Sequence, residues 1–233
     1  MKPQSSTQAI AEATSLLVAD HDVADLLSRL LRDCTAFLPV VGAGILVRDV
    51  TGNLELLSTT SHTATQLEIY QELHESGPCV EVIADGVALS VVGADGLVER
   101  WPVVGDLFTR SGISAAHAFP MVWRGRAIGG LNLFSTTPQR LTADERVLAQ
   151  SLADLGTIAL ARSGVLSDDD LHERIQSVLE QRVVVEQAKG VVAVVEDIDL
   201  GEAFDRLVAL SDARGETLAQ VAAEVIASAQ HRA

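Results

Sequence analysis

The spacing of apolar residues changes character once along this chain, near residue 165, and that change limits the fold more than any other feature. Up to Ser135 the chain carries short apolar runs separated by turn signals. The runs at 40–48 and 54–59 flank Thr51-Gly52-Asn53 and read as a β-hairpin. Residues 87–92 read as a strand. Residues 113–123 and 127–135 read as two more, joined by the compact turn Arg124-Gly125-Arg126. The last run contains Gly129-Gly130, a pair that signals a bulge or a close backbone approach. From Ser167 onward the strand pattern vanishes, apart from the ambiguous run Val191–Val195. Strands confined to the first part imply an α+β domain there, followed by an all-helical region.

The helical segments show their own signals. Over residues 8–38, Ile10, Leu16, Leu17, Val23, Leu26, Leu27, Leu30, Leu31 and Cys34 recur at roughly helical spacing, which predicts one helix ending at Pro39. Residues 64–75 read as a helix broken by Gly77-Pro78, with a short helix after it through Ile83. The stretch with Gly93, Gly96, Trp101 and Pro102 reads as a loop. Thr142 and Glu145 form a capping box opening a helix to about Ser163. Ser167 and the acidic Asp168–Asp170 begin a long helix over 168–195. Asp199/Glu202 and Thr217/Gln220 are two more capping boxes, starting helices near 200–213 and 217–230. Leu148, Leu152, Leu155, Ala159, Arg162 and Leu166 alternate steps of four and three, and after a step of five Leu171, Ile175, Val178, Arg182 and Val185 resume the alternation. That seam fits a helix packed on its own domain or a parallel dimeric coiled coil.

Charge narrows the partners. The 233 residues hold 32 acids and 17 Lys/Arg, a formal charge of −15, so bulk attraction to nucleic acid or an anionic membrane is excluded. Residues 167–233 carry six Lys/Arg against fourteen Asp/Glu, leaving −8. A polyanion must therefore meet a local basic patch. Cys34 and Cys79 form no CxxC pair and no zinc spacing, which fits a reducing compartment. No apolar stretch reaches about 18 residues, and the N-terminal segment lacks the layout of a signal peptide. A cytoplasmic protein without a membrane anchor is expected. There is no GxxxxGK[ST], HExxH or GxSxG motif, and no His pair has metal-ligand spacing on one helix face. Neither catalytic nor metal-binding residues are expected, and any cofactor stays unassigned.

The most informative stretch is Val183-Val-Val-Glu-Gln-Ala-Lys-Gly190. Lys189 is one of two lysines, the other being Lys2, and Arg182 lies seven positions before it, on the same helix face. Ala188 and Gly190 flank the lysine with almost no side chain. This fits a patch meeting an anion, with Arg206 and Arg214 extending it from the next helix. It equally fits a solvated lysine beside a helix-packing contact.

Arg182, Glu186-Gln-Ala-Lys-Gly190, Ala203-Phe204, Leu207, Leu218, Val221 and Ala222 together resemble the signature of an ANTAR domain, with the likeness spanning Leu179 to Ile226. The resemblance implies an all-α three-helix module. Such a module binds paired hexaloop stem-loops in leader transcripts as a dimer, stabilising an antiterminator. Arg182, Ala188, Lys189, Gly190 and Arg206 would lie at the RNA face. The chain has Val191-Val192-Ala193 where the family commonly has Leu-Met-Ala. Its arginine at 206 falls one place before the family's, about 100° round the helix.

Gly77-Pro78-Cys79, Arg100-Trp101-Pro102, Gly112-Ile113-Ser114 and Ile128-Gly129-Gly130-Leu131-Asn132-Leu133 resemble a GAF domain of the kind fused to ANTAR. That implies a sensor with a six-stranded antiparallel sheet, flanking helices and a pocket for a small molecule. Cys79, Trp101 and His117 are the candidate pocket residues. Cys79 reads as a redox or haem-ligating thiol or as a buried structural one. Trp101 reads as a pocket cover or a core residue, and His117 as a core or rim histidine. The expected organisation is a GAF sensor at 14–163, a helical linker or coiled coil at 164–178 and the ANTAR module at 179–230. The expected function is a non-enzymatic, signal-responsive, dimeric antitermination regulator. The competing reading is a protein-interaction regulator whose bundle no longer binds RNA.

Overall fold

The computed structural model describes residues 3–19, 22–49, 52–161 and 168–230. Contacts divide the chain into Met1–Ile175 and Gln176–Ala233.

The N-terminal unit is built on a five-stranded antiparallel sheet. Its strands are β1 (Gly42–Arg48), β2 (Leu54–Thr59), β3 (Leu89–Val92), β4 (Ala115–Trp123) and β5 (Arg126–Ser135), in the order β2-β1-β5-β4-β3. Five strands are present among the described residues, against the six that the resemblance implies. The expected hairpins form. Arg124 and Gly125 adopt φ of 49° and 81°, and Trp123 pairs with Arg126 across them. Two left-handed residues in a two-residue loop give the twist that matches right-handed strands. At the other hairpin Asn53 N–H donates to Asp49 Oδ1 at 2.8 Å; Thr51 lies outside the described residues.

Helices cover both faces of the sheet. The segment expected as one helix over 8–38 is two, α1 (Ser6–Val18) and α2 (Val23–Phe37). Asp22 ends the continuity: its carboxylate accepts from Asp25 N–H at 3.0 Å and caps α2. The apolar period ran through because both helices bury a stripe, Ala9, Ala13 and Leu17 in α1 and Leu26, Leu27, Leu30, Leu31 and Cys34 in α2. Leu38, before Pro39, turns extended and closes α2. α7 (Ala143–Ala161) packs on α1, α2 and β4, and its capping box is present, Thr142 N–H to Glu145 Oε2 at 2.7 Å. Gly156 on α7 lies against Met121, Leu27 and Leu30.

The opposite face is covered by α3 (His62–His74), α4 (Pro78–Asp85), α5 (Ala94–Arg100) and α6 (Pro102–Arg110). The stretch expected as a loop is thus two helices. Leu97, Trp101, Val104 and Phe108, spaced four, three and four, are all buried, and that helical period outweighs the glycines and Pro102. Pro102 stands in the first turn of α6, where its missing N–H costs nothing. A side chain at Gly105 would collide with the Leu97 carbonyl, so the glycine lets α5 and α6 cross at backbone contact.

The second unit is helical. It comprises the latter part of α8 (Asp168–Glu196), α9 (Leu200–Arg214) and α10 (Leu218–Gln230). Val185, Ala188 and Val192 of α8 meet Ala203, Phe204 and Leu207 of α9 and Val221 and Ala222 of α10 in one core. Both expected capping boxes form, with Glu202 N–H donating to Asp199 at 2.8 Å and Gln220 N–H to Thr217 at 3.1 Å. Along the heptad seam, Leu152, Ala159, Ile175, Val178 and Val185 are buried, while Leu148, Leu155 and Arg182 are half-buried. Arg162, Leu166 and Ser167 lie outside the described residues, as does the Leu171 side chain.

Candidate nucleic-acid interface and sensor core

In the helical unit, α8 carries four of the five residues expected at an RNA face. Their positions follow from the core stripe at 185, 188 and 192. Ala188 is wholly enclosed in that stripe, so its methyl packs the bundle. Lys189, one position on, is 3% exposed, and its ammonium pairs with the Glu186 carboxylate. Gly190 stands at the surface side of the helix, where an added Cβ would meet nothing within 4 Å. A glycine inside a helix costs about 1 kcal/mol relative to alanine, and packing within this chain does not require it. Arg182 is half-buried and partnered. Arg206 extends from α9, its Nε 3.5 Å from Glu196 Oε2. Arg214 joins Glu224 at 2.7 Å and Glu216 at 3.6 Å. Carboxylates therefore accompany Lys189, Arg206 and Arg214.

The interior of the sheet domain holds a polar network beneath α3 and α4. Side chains alternate along a strand, and antiparallel partners share a face. Asn132 on β5 pairs with Gly44 on β1 and Ala118 on β4, so these three face α3 and α4. Glu68 descends from α3 into the space over Gly44, which a Cβ there would take. Asn132 Nδ2 and Gln71 Nε2 each donate to Glu68 Oε2 at 2.7 Å. Gln71 Oε1 accepts from the Cys79 N–H at 3.1 Å, and the Cys79 thiol donates to the Gly130 carbonyl at 3.3 Å. All four side chains are sealed from solvent, and Glu68 Oε1 and Asn132 Oδ1 have no hydrogen-bond partner. Burial pushes the Glu68 carboxyl up to about 8, against the lowering effect of the Asn132 bond. Burial first, and the Glu68 charge second, push the Cys79 thiol well above its usual range.

The three expected pocket residues are not brought together. Cys79 and Trp101 lie on the α3–α6 side of the sheet. His117 pairs with Leu133 and Ser90 and therefore faces the other side. Its Nδ1 is 2.8 Å from Ser90 Oγ, and burial, then Arg140, pull the ring down to about 4. Trp101 is 2% exposed, fills the core, and donates from Nε1 to Glu81 Oε1 at 2.6 Å. Arg100 grips the other oxygen of that carboxylate at 2.6 and 2.9 Å. A surface groove between the β1–β2 hairpin and the end of α3, lined by Arg48, Asn53, Glu55, Glu72 and Glu75, includes none of the three.

The sequence reading passed over Glu68 and Gln71. The available signal was Asn132, a polar residue inside an otherwise apolar buried strand, which must find a partner. Among the described residues, no group of three or more His, Cys, Asp and Glu is placed to hold a metal ion. No described helix is long and apolar enough to cross a membrane.

Comparison with known proteins agrees with this architecture. Residues 20–161 match the GAF domain family and residues 173–226 the ANTAR domain family. No curated protein matches the chain. Among solved structures, the GAF domain of a phosphoenolpyruvate-protein phosphotransferase from Coxiella burnetii superposes with a TM-score of 0.53 at 15% identity, covering 69% of this chain and 95% of that one. The phycoerythrobilin-bound GAF domain of a cyanobacterial phytochrome gives 0.51 at 13%, over 67% and 94%. The reduced form of fRMsr of Staphylococcus aureus gives 0.51 at 13%, over 68% and 96%. At these identities the likeness is one of fold. With its GAF match spanning more than half of its length and an ANTAR match behind it, this chain belongs to the GAF family in the arrangement that joins a GAF domain to a C-terminal ANTAR domain.

Proposed function

We propose that the protein is a signal-responsive RNA-binding regulator that acts by transcription antitermination on leader transcripts carrying paired hexaloop hairpins. The ANTAR match over 173–226 carries this reading. In it, residues 14–163 receive a signal, 164–178 transmit it as a helical linker, and 179–230 bind RNA as one half of a homodimer in the cytoplasm. Gly190 supports it locally, because its bare flank lets a phosphate backbone approach α8 closely. Arg182, Lys189 and Arg206 supply charge. Ala188 acts from the core by fixing the rotation of α8. Lys189 engages phosphate by exchanging Glu186 for it. The protein is a regulator and not an enzyme.

The test is a gel-shift titration of the full-length protein against leader RNA with two hexaloop hairpins, alongside RNA lacking one. Retention that needs both hairpins and is lost in Arg206→Glu and Lys189→Glu is expected. Absence of retention at low salt, or equal retention by the variants while folded, overturns it.

One observation favours a second reading, a protein-interaction regulator with an RNA-incompetent bundle. Lys189, Arg206 and Arg214 are all paired with carboxylates. That reading predicts no RNA affinity even at low salt.

A further inference from the structure

The buried acid network of the GAF domain has no cation in it and two acceptors that nothing satisfies. We propose that its ligand is a proton: Glu68 is held as a neutral carboxylic acid in the folded domain, and its ionisation loosens α3 and α4 from the sheet. This deepens the sensor half of the reading above and rests on that reading only for what the signal is for.

The argument is one of donors and acceptors. Glu68 Oε2 already receives two hydrogen bonds, from Gln71 and Asn132. Oε1 receives none, and neither does Asn132 Oδ1, although both are sealed from solvent. A carboxylate only accepts, whereas a protonated acid also donates. A proton on Oε1 turns a bare buried charge into a neutral donor beside a residue with a vacant acceptor. A larger cation or amine would need room, and the space over Gly44 is taken by Glu68 itself.

The groups facing Glu68 are of the right kind. α3 contributes Gln71, β5 contributes Asn132, β1 contributes Gly44, and α4 contributes Cys79, an acid that is neutral in the same range. Burial is the largest influence on the Glu68 carboxyl, and no basic group opposes it. Losing the proton leaves an anion with one bare oxygen in an apolar interior, a state that protein interiors do not tolerate without rearrangement. Gln71 bonds both Glu68 and the first turn of α4, so strain at Glu68 reaches the junction of the two helices.

The experiment is infrared spectroscopy of the full-length protein without RNA, from pH 6 to 9.5, with amide exchange over 62–85. A protonated-carboxyl band is expected at pH 7. It should fade as pH rises through about 8 while exchange in α3 and α4 accelerates several-fold, and be absent from Glu68→Gln. In Asn132→Leu, which removes the bond that favours the carboxylate, the band should persist to higher pH. That shift also separates Glu68 from Asp33, the other buried carboxylic acid among the described residues, which lies on α2. A wild type with no such band at pH 7, or a band that neither substitution alters, overturns the proposal. RNA takes no part, so failure here leaves the antitermination reading standing, and failure of RNA binding leaves the proton site standing.

Discussion

At the scale of single residues, His117 and Glu68 make opposite demands on pH. His117 is pulled to about 4 in the folded chain against an ordinary 6.5. Between those values the unfolded chain holds a proton that the folded one refuses, so stability falls as pH drops from about 6.5 to 4. Glu68 is pushed up to about 8 from 4.5, so the folded state binds the extra proton and its contribution falls as pH rises through that window. Urea midpoints of His117→Gln should decline less than those of wild type between pH 7 and 5. Gly190 separates stability from function in another way. Gly190→Ala fills open space in a helix and should stabilise the bundle by about 0.5–1 kcal/mol in chemical denaturation. Under the RNA-binding reading, the same methyl weakens hairpin retention.

At the scale of elements, one carboxylate organises the α4–α6 layer. Glu81 on α4 takes the indole N–H of Trp101 and the guanidinium of Arg100. Trp101 ends α5 and begins α6, so this one side chain ties three helices. Trp101→Phe keeps an aromatic ring, though a smaller one, but leaves Glu81 short of a donor, and should cost about 1–2 kcal/mol in thermal or urea unfolding. Trp101→Ala opens a cavity and should cost about 3–5 kcal/mol. This layer was also the least legible in the sequence. Gly93, Gly96 and Pro102 are loop residues by local rule, and only the buried period of Leu97, Trp101, Val104 and Phe108 betrays the helices. The hairpins and capping boxes were readable because each depends on residues within a few positions of one another. The merging of α1 and α2 had the opposite cause, since the apolar period is blind to a cap such as Asp22. The acid network was hidden for a third reason. Glu68 and Asn132 are 64 positions apart, and only the sheet register brings them together.

At the scale of the whole molecule, the charge of −15 sets two responses to salt against each other. Screening relieves repulsion among acids, so added salt should raise the unfolding temperature. RNA held by a few cations should be released by the same salt. Under the RNA-binding reading, with about four phosphate contacts per dimer, affinity should drop roughly 50- to 150-fold between 50 and 200 mM salt. Calorimetry and gel shift on one preparation would show both trends, and parallel trends would rule out a charge-driven RNA contact.

Gly44 and Glu68 occupy a single volume, one by lacking what the other supplies. Their substitution histories should therefore be linked. A natural relative with alanine or anything larger at the strand position is expected to carry a shorter residue at the helix position, and to have lost its alkaline response along with the glutamate. Sequencing such pairs, and swapping both positions together in this chain, would show whether evolution has treated them as one locus.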